Sequence, residues 1–120
     1  MAKNRCSNSD AIRFIEYRDE FETNNKTMYG RWKYKRSGNL DEGRYVVYSY
    51  GEHFPMYVYD SATHQWYGNK DKYSRTTSAH QTKARPRAGV ADWFDTETLR
   101  RIVEFGVVGL VEYKLEKAYA

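Results

Sequence analysis

Between Met28 and Tyr67 the chain repeats one pattern: a short aromatic or β-branched run, a turn signal, then another such run. In Met28–Arg36, Trp32 and Tyr34 alternate with Arg31, Lys33 and Lys35. A period of two puts one side of a strand on a core and the other in solvent. Ser37-Gly38-Asn39 through Gly43 is a turn region, and Arg44 to Tyr50, rich in Tyr and Val, is a second strand. Gly51-Glu52-His53-Phe54-Pro55 breaks it, Met56 to Tyr59 resumes strand character, and Asp60-Ser61-Ala62-Thr63 turns the chain. His64 to Tyr67 returns it and Gly68-Asn69 stops it. Connections this short join antiparallel neighbours, so a sheet of about four antiparallel strands is predicted over residues 31–67.

Helices are predicted on both sides of that sheet. Ser9 precedes Asp10-Ala11-Ile12-Arg13-Phe14-Ile15-Glu16-Tyr17, a fair cap with acid in the first turn. Ile12 and Ile15 share a face, widened by Phe14, Tyr17 and Phe21, although Ile12 and Phe14 also alternate with charge as a strand would. This N-terminal helix should end by Thr23-Asn24-Asn25. Thr76-Thr77-Ser78 supply hydroxyl caps for a short helix near 76–84 that Pro86 stops, and Arg85 to Ala91 reads as loop. Asp95 caps Thr96 to Phe105, with Leu99, Ile102 and Val103 on one face and Gly106 as terminator. Val107, Leu110, Val111, Leu115 and Ala118 then fall at helical spacing, whereas Val111, Tyr113 and Leu115 alternate as in a strand. The expected fold is α+β with one or two C-terminal helices, as a single domain over residues 1–120.

Twelve Tyr and 17% aromatic residues separate this polar chain from disordered ones, which are poor in rings. The lone Cys6 lies in a polar stretch, cannot form an intramolecular disulfide, and is expected to be an incidental exposed thiol. There is no apolar leader-like region and no long apolar run, so secretion and membrane spanning are disfavoured and a reducing cytoplasm is the default. No phosphate loop, dinucleotide glycine pattern, nucleophile elbow or metal-ligand spacing is present, and no cofactor or metal is expected.

The net charge of +4 is unevenly placed. Residues 70–87 hold Lys70, Lys72, Arg75, Lys83, Arg85 and Arg87 against Asp71, net +5. Residues 26–45 hold Lys26, Arg31, Lys33, Lys35, Arg36 and Arg44 against Asp41 and Glu42, net +4. The flanks 10–25 and 92–120 are net −3 and −2. A basic zone between acidic flanks suits a negatively charged partner, and it equally describes a solvated basic surface.

Three places could carry chemistry. The first is Tyr73-Ser74-Arg75-Thr76-Thr77-Ser78, where a helix start, hydroxyls and Arg75 could hold a phosphate or merely cap the helix. The second is the interleaving of Trp32 and Tyr34 with cations, the composition of a single-strand-binding groove and also of a strand with a core face. The third is a ribonuclease-like set of His53, His80 and Arg75, a base, an acid and a cation that nothing in the spacing brings together. The mixed charges of Glu97 to Arg101 and Glu112 to Lys117 read as solvated helix faces.

Tyr48-Ser49-Tyr50-Gly51, and Lys72-Tyr73-Ser74-Arg75-Thr76-Thr77-Ser78-Ala79-His80-Gln81, resemble a family of small phage and plasmid proteins. Its members show a Ser-Tyr strand end, a short hairpin, then a Tyr-Ser-x-Thr-Thr-Ser-x-His-Gln segment. The resemblance covers residues 48–86, and Glu52-His53-Phe54-Pro55 departs from it where relatives often carry a large hydrophobic residue. The family's function is unknown, so no catalytic role transfers; the resemblance implies a mobile-element origin and an intracellular setting.

Three functions follow as expectations. The first is a non-catalytic phage or plasmid accessory protein that binds nucleic acid or a host nucleic-acid-handling complex, for example as a counter-defence inhibitor. Its contacts would be Arg31, Lys33, Lys35, Lys70, Lys72, Arg75, Thr76, Thr77, Ser78, Lys83, Arg85 and Arg87, with Trp32 and Tyr34 as stacking rings. The second is a protein–protein module anchored by exposed aromatic side chains. The third is a small His-dependent ribonuclease.

Overall fold

The computed structural model describes residues 4–33, 43–52, 54–72 and 75–119, with side chains of 76, 77 and 112–119 excepted. The fold is α+β, as expected, but the sheet is larger than predicted and mixed. Its strands are β1 (Asn4–Cys6), β2 (Phe21–Thr23), β3 (Met28–Lys33), β4 (Arg44–Ser49), β5 (Pro55–Asp60), β6 (Gln65–Asn69) and β7 (Val90–Phe94). They lie side by side in chain order. β2 to β6 form the antiparallel meander, while β1 pairs parallel with β2 and β7 parallel with β6.

The helices are α1 (Ala11–Glu16), α2 (Arg75–Ala84) and α3 (Thr96–Tyr119). α1 crosses from β1 to β2, and α2 from β6 to β7. Four antiparallel steps separate β2 from β6, so both crossovers start from strands running the same way and step the same way along the sheet. Parallel crossovers are almost always right-handed, which sends both helices to one face. α1 and α2 do lie against each other there. The opposite face is left for α3.

Strand alternation builds a core on each side. Under α1 and α2 lie Phe21, Met28, Tyr45, Val47, Met56, Tyr57 and Trp66, closed by Ile15 and Ala84. Under α3 lie Val46, Tyr48, Val58 and Tyr67, closed by Leu99, Ile102 and Leu110. Met56 and Tyr57, consecutive in sequence, join the same core because the pairing shifts between Val47 and Tyr48: Val47 faces Tyr57 and Tyr48 faces Pro55. Met56 is the extra residue of that bulge. On β3, Gly30 makes room for Phe21 and Tyr45, since a Cβ there would stand 2.3 Å from the Tyr45 hydroxyl.

Several expectations are corrected. The N-terminal helix is only six residues long, and Thr23-Asn24-Asn25 belongs to the β2–β3 hairpin. There Thr23 Oγ1 accepts from the Thr27 and Met28 N–H groups at 3.2 and 3.1 Å. The expected loop of Arg85 to Ala91 ends in strand: Val90 and Ala91 begin β7, an exposed edge that runs to Phe94. Cys6 is buried, because β1 pairs with β2 and turns the thiol into the core; burial, with Asp10 nearby, pushes its pKa up.

The C-terminal segment is helical, with a break at Gly106 (φ 77°) that divides α3 in two. Arg44 and Asp60, opposite each other on β4 and β5, splice the halves. Arg44 donates to the Val103 and Glu104 carbonyls, both at 2.8 Å, and Asp60 Oδ2 accepts from the Val107 N–H at 2.8 Å. Cation at a helix C-terminus and carboxylate at the next N-terminus is the arrangement the helix dipole favours. At the front of α3, Asp95 Oδ1 accepts from the Thr98 N–H at 2.8 Å, the predicted cap.

Candidate nucleic-acid interface

α2 is fixed by two consecutive buried polar side chains, His80 and Gln81. His80 Nδ1 lies 2.8 Å from Ser49 Oγ, and Nε2 faces Thr27 Oγ1 at 3.4 Å and Asn8 Nδ2 at 3.5 Å. The Tyr50 ring packs on the imidazole at 5.6 Å. Gln81 Nε2 donates to the Asn69 carbonyl at 2.9 Å and the Asp71 carbonyl at 3.3 Å. The Tyr57 hydroxyl donates to the Gln81 carbonyl at 2.6 Å, and burial pushes its pKa up to about 12. Ser49 and Tyr50 therefore meet His80 in space, and His80 and Gln81 clamp α2 to the ends of β4 and β6. Burial, and then Lys83, lower the His80 pKa from 6.5, so the ring sits neutral.

With His80 only 2% exposed, the ribonuclease-like set is not assembled among the described residues: Arg75 is exposed at the start of α2 and His53 lies outside them. His64 stands at the other end of the sheet, in the β5–β6 turn. Among the described residues no group of three or more His, Cys, Asp or Glu could hold a metal ion. No helix of the described residues is long and apolar enough to cross a membrane.

The sheet divides the basic zone. Lys70, Lys72, Arg75, Lys83, Arg85 and Arg87 surround α2, and all except the two Lys at 70 and 72, which lead into it, sit on it or just beyond its end. α2 itself contains no acid, and Asp71, the one acid within residues 70–87, turns away. Its Oδ2 accepts from the Thr96 N–H at 2.8 Å and the Thr96 hydroxyl at 2.7 Å. Arg85 lies 5.2 Å from the Trp93 ring centroid, and Trp93 in turn covers Gly68, where a Cβ would stand only 2.5 Å from the indole. Arg87 pairs with Glu16 at 3.6 Å. Ser78 is half-buried; the side chains of Thr76 and Thr77 lie outside the described residues, as do Tyr34, Lys35 and Tyr73.

Arg31 and Lys33 are on the other face. They share the β3 side of Tyr29, over which Arg31 lies at 5.0 Å, and Arg31 also donates to the Phe21 carbonyl at 2.7 Å. Lys33 pairs with Glu52 and borders a 430 Å³ cleft beside α3 lined by two acids, Glu97 and Glu104, and two cations, Arg100 and Arg101. Trp32 faces the α1–α2 core, edge-on to Tyr45 at 5.6 Å, with its indole N–H donating to the Arg18 carbonyl at 2.9 Å. Trp32 thus points to the face opposite Arg31 and Lys33.

One cluster had no sequence signal. Arg18, Tyr59 and His64 come from α1's end, β5 and the β5–β6 turn, and meet at the far end of the α1–α2 face. The Arg18 guanidinium lies 4.3 Å from the Tyr59 ring centroid, and the Tyr59 hydroxyl is 3.4 Å from His64 Nδ1. Comparison of the chain with protein-family models, with curated proteins and with solved structures finds no match.

Proposed function

We propose that this is a non-catalytic binding protein that receives nucleic acid on the side of the sheet carrying α2. The observation that supports this is the local excess of cations around α2: six within residues 70–87 against one acid, which is committed to Thr96, with Arg87 paired to Glu16 of α1. Arg75 and Lys83, near the two ends of a ten-residue helix about 15 Å long, with Lys70 and Lys72 before it and Arg85 and Arg87 after it, match a phosphate backbone in sign. Together with the family resemblance, it reads as an accessory protein of a phage or plasmid, working in the host cytoplasm on nucleic acid or a nucleic-acid-handling complex, as a counter-defence inhibitor would. Arg31 and Lys33 take no part in this version of the interface.

The experiment is binding of labelled single- and double-stranded DNA and RNA at low and physiological salt. Affinity should fall steeply with salt because neutralised phosphates release counterions. A flat salt dependence, or no binding in any arm, refutes the proposal.

A second reading, a protein–protein module without nucleic acid, has one observation in its favour. Phe105, Val108 and Val111 of α3 are each at least 50% exposed. Exposed apolar stripes of this kind often mark partner surfaces. A native complex that survives both nuclease and high salt would favour it.

A further inference from the structure

We infer that the groove around Tyr59 takes an unpaired base, so that the nucleic acid bound on the α2 side is single-stranded there. This rests on the polyanion reading and narrows it. Two adjoining cavities of about 410 and 400 Å³ share Arg18, Tyr59 and His64. Each falls within the roughly 300–1,000 Å³ of small-ligand pockets. Trp32 and Tyr17 line the first and Trp66 the second. Tyr17, at 78% exposed, is the most exposed large apolar side chain described, and it stands at the groove's rim.

The backbone points to the same place. Arg18 (φ 55°) and His64 (φ 57°), two of the four non-glycine residues at positive φ among those described, with Lys26 and Tyr50, adopt the left-handed conformation that glycine occupies at least cost. At Arg18 the bonds Arg18 N–H to Ile15 carbonyl (3.0 Å) and Asp19 N–H to Phe14 carbonyl (2.9 Å) close the helix end that glycine ordinarily makes. At His64 the N–H donates to the Asp60 carbonyl at 2.8 Å and closes the hairpin. Two unrelated turns therefore carry a polar, planar side chain where glycine is easier, and both side chains converge on one tyrosine. His64 is exposed and Arg18 half-exposed, so burial does not account for either. Strained positions of this kind gather at ligand sites.

The chemistry fits a base. Tyr59 and the guanidinium of Arg18 already form the first two layers of a stack, and a base laid on Arg18 extends it. His64 and the Asp19 carboxylate, which borders the first cavity, offer a ring nitrogen and an acceptor to the base edge. The phosphates have a route onward: Ala88, Gly89 and Val90 line the second cavity directly after Arg85 and Arg87. A paired base inside a duplex cannot enter such a groove without leaving its stack.

The test uses the full chain with three labelled probes of one length: a single strand, the same strand carrying abasic sites, and a duplex. The intact strand should bind about tenfold tighter than the abasic one. Arg18→Gly and His64→Gly should erase that preference, bringing intact and abasic strands to equal affinity, and melt at or above the wild-type temperature. Equal binding of intact and abasic strands, or a preference that survives both variants, overturns the groove while leaving the polyanion reading intact. Failure of all three probes to bind removes both.

Discussion

The side of the sheet under α2 and the side under α3 place their charged residues differently. Around α2 the cations stand together, and their one acid is turned into a cap for α3. Beside α3 the signs are mixed: Lys33 meets Glu52, Arg101 meets Glu97 at 3.4 Å, and Arg44 caps helix carbonyls. The difference teaches that a basic run counted along the sequence is not a basic surface. In a strand, successive side chains leave by opposite faces, so Arg31 and Lys33 part company with Trp32 and with everything on α2. A helix crossing over the sheet keeps its cations on one side.

The largest expected effect breaks that comparison directly. Arg75→Gln combined with Lys83→Gln should weaken binding of any polyanion at least tenfold and reduce the slope of log affinity against log salt by about 2. Lys33→Gln combined with Arg100→Gln should change neither by more than about twofold. Parallel titrations of the two double variants check this, and an equal loss in both would erase the distinction between the faces.

The next effect concerns what holds each side. Asp60→Ala strips the splice on the α3 side, leaving the Val107 and Ala62 N–H groups without their carboxylate. It should cost about 1–3 kcal/mol in denaturant unfolding and leave polyanion binding per folded molecule unchanged. Gly68→Ala acts on the α2 side, where the new methyl meets Trp93 and disturbs the platform under Arg85. About 1–3 kcal/mol of destabilisation is expected, with weakened binding as well.

The smallest effect is a pH dependence confined to the α2 side. The folded pKa of His80 is lowered, so below 6.5 the unfolded chain takes up the proton first. Its contribution to stability is complete above pH 6.5, declines as pH falls toward the folded pKa, and is flat below that. Lys83 is the charged neighbour that deepens this, and Ser49, Thr27, Asn8 and Tyr50 surround the ring. The difference in unfolding free energy between wild type and His80→Asn, measured from pH 7.5 to 5, should narrow as pH falls. A constant difference would show that His80 keeps its ordinary titration.

Much of the meander was legible because its signals are local. Asp95, Gly106 and the turns around Gly51 and Asp60 mark their own boundaries, and β3 to β6 carry enough rings and β-branched residues to show themselves. β1 and β2 are three residues each and exist by pairing with one another across α1. β7 is an exposed edge whose parallel partner lies beyond α2, so no hairpin turn announces it. Of the site, the cations were legible and their division between faces was not. The His80–Ser49 clamp joins residues 31 apart, a separation at which no local signal announces a contact. The Arg18–Tyr59–His64 groove depends on two left-handed backbone positions, which residues other than glycine do not advertise.

The most direct test of the central claim is amide chemical-shift mapping of the labelled protein as a short single-stranded oligonucleotide is added. Shifts concentrated in α2, residues 85–93 and the Arg18 and His64 turns are predicted, with little change in Glu97 to Glu104 and none beyond noise at Lys33. Shifts centred on α3 and Lys33, with α2 silent, would contradict the account.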